Sequence, residues 1–129
     1  MLSALTISRA LVLLVAVEHL YILILEMFFW NTSRAQSVFG LSPEFTESTQ
    51  AMAANQGLYN GFLAAGLLWG LFHSKRRFGQ ELQLFFLLCV IIAAIFGTFT
   101  VKGSILWMQG LPALTALVMV LVGRRAEAE

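Results

Sequence analysis

Residues 82–100 read LQLFFLLCVIIAAIFGTFT, a run without a single charge. An α-helix needs about 20 apolar residues to cross the roughly 30 Å hydrocarbon core of a bilayer, and this run supplies them. A β-barrel strand would be half as long and would alternate polar with apolar residues, which this stretch does not do. The run therefore reads as a transmembrane helix, and it assigns the chain to lipid.

Working outward, three more runs qualify. Upstream lies 52–72, separated from the first by a short polar turn at 73–81 that carries Lys75, Arg76 and Arg77. Downstream, the tight link 101–104 with Lys102 and Gly103 leads into a span over 105–122. Nearest the N-terminus, 5–30 is apolar around Glu18, His19 and Glu26. Its single basic residue (Arg9), its length and these midspan ionisable groups argue for an uncleaved span rather than a signal peptide. The expected architecture is an all-α integral membrane four-helix bundle occupying the whole chain, 1–129, as one domain.

The composition agrees. Of 129 residues, 59% are hydrophobic and 12% charged, more apolar surface than a soluble domain of this size can hide. A net charge of +1 and the lack of a basic stripe leave no basis for nucleic-acid binding. One cysteine, Cys89, rules out an intramolecular disulfide, a CxxC redox pair and a cysteine zinc cluster.

Basic residues set the orientation. With four spans, Arg9, Lys75, Arg76, Arg77, Arg124 and Arg125 fall on one side, and Arg34 and Lys102 on the other. The side holding six is cytoplasmic by the positive-inside rule, so both termini are expected in the cytoplasm of a bacterial cell, with the protein in the inner (plasma) membrane. Trp30, Trp69 and Trp107 stand near span ends, as interfacial anchors do.

The longest connection, 31–51, contains Ser42-Pro43-Glu44, which reads as a helix start. Either the second span begins outside the membrane or a short surface helix precedes it. Gly57 with Gly61, and Gly66 with Gly70, form two small-xxx-small pairs on roughly opposite faces of the second span, so neighbours can approach it closely from both sides. Gly110-Leu111-Pro112 is expected to break or kink the fourth span beside Gln109.

Ionisable and polar groups inside spans are costly and are functional candidates by default. His19 and Glu26 are seven apart and share a helix face, with Glu18 on its flank. The second span carries Asn55, Gln56, Tyr59 and Asn60. With the spans oriented as above, these residues, Thr98, Thr100 and Gln109 all fall in the outer half of the bilayer. A shared outward-facing polar pocket accounts for that pattern, with Glu18, His19, Glu26, Gln56, Tyr59, Asn60 and Gln109 as its candidate ligand-binding residues. Interhelical hydrogen bonding is the competing explanation for the same residues. No metal site is expected: adjacent Glu18 and His19 diverge by about 100°, and no second histidine lies on a facing span. A Ser/His/Asp triad is excluded because the chain has no Asp.

The runs Glu18-His19-Leu20-Tyr21-Ile22, Glu26-Met27 with Trp30, Asn55-Gln56-Gly57-Leu58-Tyr59-Asn60-Gly61, Lys102-Gly103-Ser104 and Gln109-Gly110-Leu111-Pro112-Ala113 together resemble the small four-span bacterial membrane proteins of domain of unknown function 1304. The resemblance covers nearly the whole chain, and NQGLYNG is its most specific part. It implies a compact membrane-embedded helical bundle, and brings no activity, substrate or cofactor with it. Three functions stay open. The first is an outward-facing pocket that binds or transports a small molecule, with a homo-oligomer expected because one small bundle makes a narrow pathway. The second is an accessory or assembly protein whose polar layer fixes helix register. The third is a membrane enzyme acting on a lipid-like substrate with His19 and a glutamate as acid and base.

Overall fold

The apolar runs become long helices because inside a bilayer each backbone N–H and C=O must find its partner within the same segment. A computed structural model describes residues 3–126. Its elements are α1 (Ala4–Phe28), α2 (Ser33–Phe39), α3 (Pro43–Ser48), α4 (Gln50–Phe72), α5 (Arg76–Thr100) and α6 (Leu111–Ala126), with a π-helical turn at Leu106–Gly110 leading into α6. No strand occurs among the described residues. The chain is all-α, as its sequence requires.

Among the described residues, three helices are long and apolar enough to cross a membrane: Ala4–Phe28, Arg76–Thr100 and Leu106–Ala126. At 23 residues α4 matches them in length. It falls short in apolarity, because Asn55, Gln56, Tyr59 and Asn60 crowd its first half. The expectation of four spans thus has three clear members and one polar exception.

Side-chain size is distributed inside out. Large apolar groups such as Leu14, Phe28, Phe85, Ile92, Phe96 and Val118 are exposed, while buried positions include Ala16, Ala64, Ala94, Ala113 and Ala116. In water so much exposed hydrocarbon would drive aggregation. In lipid it is the favoured surface, and small residues between helices let backbones approach closely.

The contacts divide the described residues into two units, 3–16 with 65–126 and Val17–Ala64. In the larger unit, α5, the π turn and α6 pack on one another. The close approaches fall at glycines: a β-carbon on Gly110 would meet Ala94, and one on Gly123 would meet Leu5 and Ser8. The end of α4 meets the start of α5 still more tightly, since a β-carbon on Gly70 would lie 2.7 Å from the carbonyl oxygen of Gly79. Gln83 adds a hydrogen bond there, its Nε2 donating to Gly70 O at 2.9 Å.

Pro112 has its effect without a break. The backbone N–H of Leu111 reaches back five residues to Leu106 O, the π pattern, and the helix continues into α6. Proline has no N–H to give, and the wider turn accommodates the missing bond. The expected interruption beside Gln109 is therefore a π turn that contains Gln109.

In the smaller unit, Ser42 caps α3 as anticipated, its hydroxyl accepting from Phe45 N at 3.2 Å with Pro43 at the first helical position. That cap opens a six-residue helix of its own, and α4 follows at Gln50. A second short helix, α2, closes on Gly40, whose φ of 68° is the left-handed conformation that glycine adopts without a β-carbon penalty.

Candidate functional site

The predicted residues cluster most densely in the smaller unit, where α1 and the first half of α4 lie against each other. Gly57 and Gly61 make that approach possible. A β-carbon on Gly57 would come 2.6 Å from Met27 Cγ and 3.0 Å from Glu26 Cβ, and one on Gly61 would come 2.5 Å from Leu23 Cδ1. With the backbones this close, Asn60 Nδ2 donates to Glu26 Oε2 at 2.8 Å across 34 positions of sequence. The same amide donates to Gln56 O one turn back on α4, at 3.2 Å. This half-buried carboxylate–amide pair joins two predicted site residues across different helices.

The other candidates fall out separately. His19 is 1% exposed and held by a partner within the fold. Glu18, its neighbour in sequence, is half-buried on α1. Gln56 is exposed on α4. Tyr59 is also exposed, its ring edge-on to Phe62 at 5.9 Å. Gln109 is half-buried in the π turn of the larger unit. Thr98 and Thr100 spend their hydroxyls on their own helix, donating to Ala94 O at 2.7 Å and Phe96 O at 2.9 Å.

The same unit holds a polar cluster that the sequence did not single out. Thr46, fully buried, accepts from Gln36 Nε2 at 3.1 Å, and its own hydroxyl lies 2.9 Å from both Asn31 Oδ1 and Pro43 O. Trp30 Nε1 donates to Thr49 Oγ1 at 3.0 Å. Arg34 Nε donates to Tyr21 Oη at 2.9 Å, fastening the α2 segment to α1. These bonds tie the connection at 31–49 to itself and to α1. Threonine at 46 carried no periodic signal, and only its partners reveal its role.

A second feature lay outside the sequence expectations. In the larger unit a cavity of about 290 Å³ is lined by Ser8 and Arg9 of α1, by His73, and by Arg76, Gln80 and Gln83 of α5. In the sequence Arg9 marks topology alone and nothing links it to His73, because their proximity depends on tertiary structure.

The matched family model spans residues 13–121, most of the chain, and describes proteins of unknown function, DUF1304. The chain belongs to the DUF1304 family. It is also similar to the uncharacterized protein YpaA of Lactococcus lactis subsp. lactis (strain IL1403), with 35% identity over 108 residues, 82% of this chain and 89% of that protein. No solved structure matches it. All seven predicted site residues fall within the span matched to DUF1304, whereas Ser8 and Arg9 of the cavity lie before it.

Proposed function

We propose that this DUF1304 chain is a four-span protein of the bacterial inner (plasma) membrane, with both termini cytoplasmic, and that it binds a small polar molecule at the outer half of α1 and α4. The observation that carries the reading is the Asn60–Glu26 bond at 2.8 Å. It holds the Glu26 carboxylate of α1 in a fixed place beside α4, whose Gln56 and Tyr59 are exposed. A carboxylate, two amides and a phenol favour a ligand rich in hydrogen-bond donors, such as an amine or polyol. Glu18 and His19 serve in this reading as groups that orient or exchange protons with it, and a homo-oligomer would shield Gln56 and Tyr59 from lipid.

Length supports α4 as the fourth span: 23 residues extend about 34 Å as an α-helix. The basic residues support the orientation, six against two. A reporter fused to the C-terminus should therefore be active only in its cytoplasmic form.

One observation favours a second reading, that of an accessory protein whose polar pair is a clamp. The glycines of α4 seat it so closely on α1 that Glu26 Cβ itself is in contact range, as expected of helices locked together. Native mass spectrometry of protein extracted gently from its host membrane separates the two. The binding reading expects a stoichiometric small-molecule adduct that disappears in Asn60→Ala while the variant still folds. A clean apo mass in the wild type, with Asn60→Ala changing only the melting temperature, would leave the clamp.

A further inference from the structure

We infer that the cavity of the larger unit is a binding site for a phosphate-bearing anion, independent of the outer polar site. Its walls set the charge preference. Arg9 and Arg76, the latter already engaged by a partner within the fold, bring two permanent positive charges from helices far apart in sequence, and none of the described residues that line it is acidic. Guanidinium groups match phosphate geometrically, with paired N–H donors facing paired oxygens.

The neutral groups point the same way. His73 also lines the cavity, its Nδ1 held against the Lys75 backbone at 3.0 Å from the N–H nitrogen and 3.2 Å from the carbonyl oxygen, so its ring is fixed in place at the cavity wall. The cavity borders the start of α5, whose cap residue Lys75 makes no side-chain capping bond. The first-turn N–H groups of that helix add partial positive charge beside Arg76.

Size and depth narrow the ligand. A volume of about 290 Å³ stands at the lower edge of ligand pockets, suited to a phosphate ester or a head group rather than a nucleotide cofactor. Leu5 and Leu71 give part of the lining an apolar surface. Trp69, His73 and Phe78 pack together, with the rings of His73 and Phe78 4.8 Å apart, as aromatic groups do at a membrane–water boundary. Basic pockets between helices at that depth accept anionic lipid head groups. One side is rigid: the Gly70–Gly79 approach and the Gln83–Gly70 bond fix α4 on α5, so the site needs little ordering on binding. The phosphate could come from an anionic phospholipid or from a soluble phosphate ester.

The test uses the full-length protein, purified and delipidated, with thermal stability and native mass as readouts. Inorganic phosphate is titrated against chloride at matched ionic strength, and short-chain phosphatidylglycerol against phosphatidylcholine. A ligand that binds the folded state raises its melting temperature, and above the dissociation constant the rise grows with the logarithm of ligand concentration. Arg9→Gln and Arg76→Gln, both at exposed positions, should each weaken binding roughly tenfold or more, as expected for loss of one charge-assisted contact. Arg125→Gln, at the same end but outside the cavity, should leave it unchanged. Stabilisation by phosphatidylglycerol alone assigns the lipid as the source, and stabilisation by phosphate alone assigns a soluble ester; either supports the site. No stabilisation by either probe overturns it. So does an equal loss in Arg9→Gln and Arg125→Gln, which would mean diffuse attraction by the basic end.

Discussion

The two halves of α4 use one packing device on different materials. Over 50–64 the helix presents Gly57 and Gly61 to α1, and beside them Asn60 bonds a carboxylate. Over 65–72 it presents Gly66 and Gly70 to α5, and the residues around them are Leu67, Leu68 and Leu71. In the first half, close approach serves a polar contact between side chains. In the second it brings backbone against backbone, Gly70 on Gly79, with a side-chain amide sealing the carbonyl. The same spacing of small residues can thus position chemistry or simply lock helices, and the neighbours decide which.

The sharpest way to break the comparison is Gly70→Leu. Any β-carbon there meets Gly79 O at 2.7 Å and the Gln83 backbone N at 3.0 Å, and backbone atoms do not move aside. Overpacking of this kind costs about 3 kcal/mol or more, so the variant should lose its cooperative unfolding transition in a denaturant titration. A near-normal transition would show that α4 and α5 are not held by this contact.

Alanine at Gly57 and at Gly66 sharpens it. At Gly66 the obstacle is the Phe86 ring, a side chain able to rotate, whereas at Gly57 the obstacles include Glu26 Cβ and Leu23 O at 3.2 Å. Gly57→Ala should therefore be the worse of the two, by about 1 kcal/mol, within the range for a strained core insertion. Melting temperatures measured side by side in one detergent settle the order, and the reverse order would mean that Met27 and Glu26 yield more easily than the Phe86 ring.

That pairing of glycines with neighbours marks how far the sequence could be read. The helical segments, the Ser42 cap and the two glycine faces follow from local spacing, because helix period and capping chemistry act over a few residues. The π turn was signalled by Pro112 but not its form, since whether a proline kinks, ends or widens a helix depends on what surrounds it. Of the seven predicted site residues, Glu26 and Asn60 meet because Gly57 lets α1 approach. Thr46, and the cavity joining Arg9 to His73 and Arg76, lay beyond local reading, as their meaning comes from partners distant in sequence.

The polar half predicts a coupling that the apolar half lacks. Asn60→Ala and Glu26→Gln, singly and together, form a double-mutant cycle. The pair should couple by about 1 kcal/mol, within the 0.6–2 kcal/mol measured for interhelical hydrogen bonds in membranes. A cycle on Leu67 and Leu87, both fully buried in the apolar unit, tests whether such coupling is general to the fold. If the polar cycle came out additive, the 2.8 Å bond would hold nothing together and the proposed site would lose its anchor.

The smallest effect lies at the end of the polar unit, outside the spans. The backbone N–H of Glu44 itself, and then the Ser42 hydroxyl, hold the Glu44 carboxyl below the ordinary glutamate range. A group whose pKa is lowered by folding stabilises the fold when ionised. Its contribution is complete above the ordinary glutamate range and is lost as the pH falls through the lowered value. Amide exchange at Phe45, whose N–H is the one capped by Ser42, reads this locally. After correction for intrinsic exchange, protection should decline on acidification in the wild type, and in Glu44→Gln it should stay flat at the lower level. Ser42→Ala should cost more, about 1 kcal/mol of local stability, because it removes the cap as well as one donor to the carboxylate. Wild-type protection that ignored pH would mean that the Glu44 charge adds nothing to the start of α3, leaving the Ser42 cap and the bonds of Thr46 to hold it.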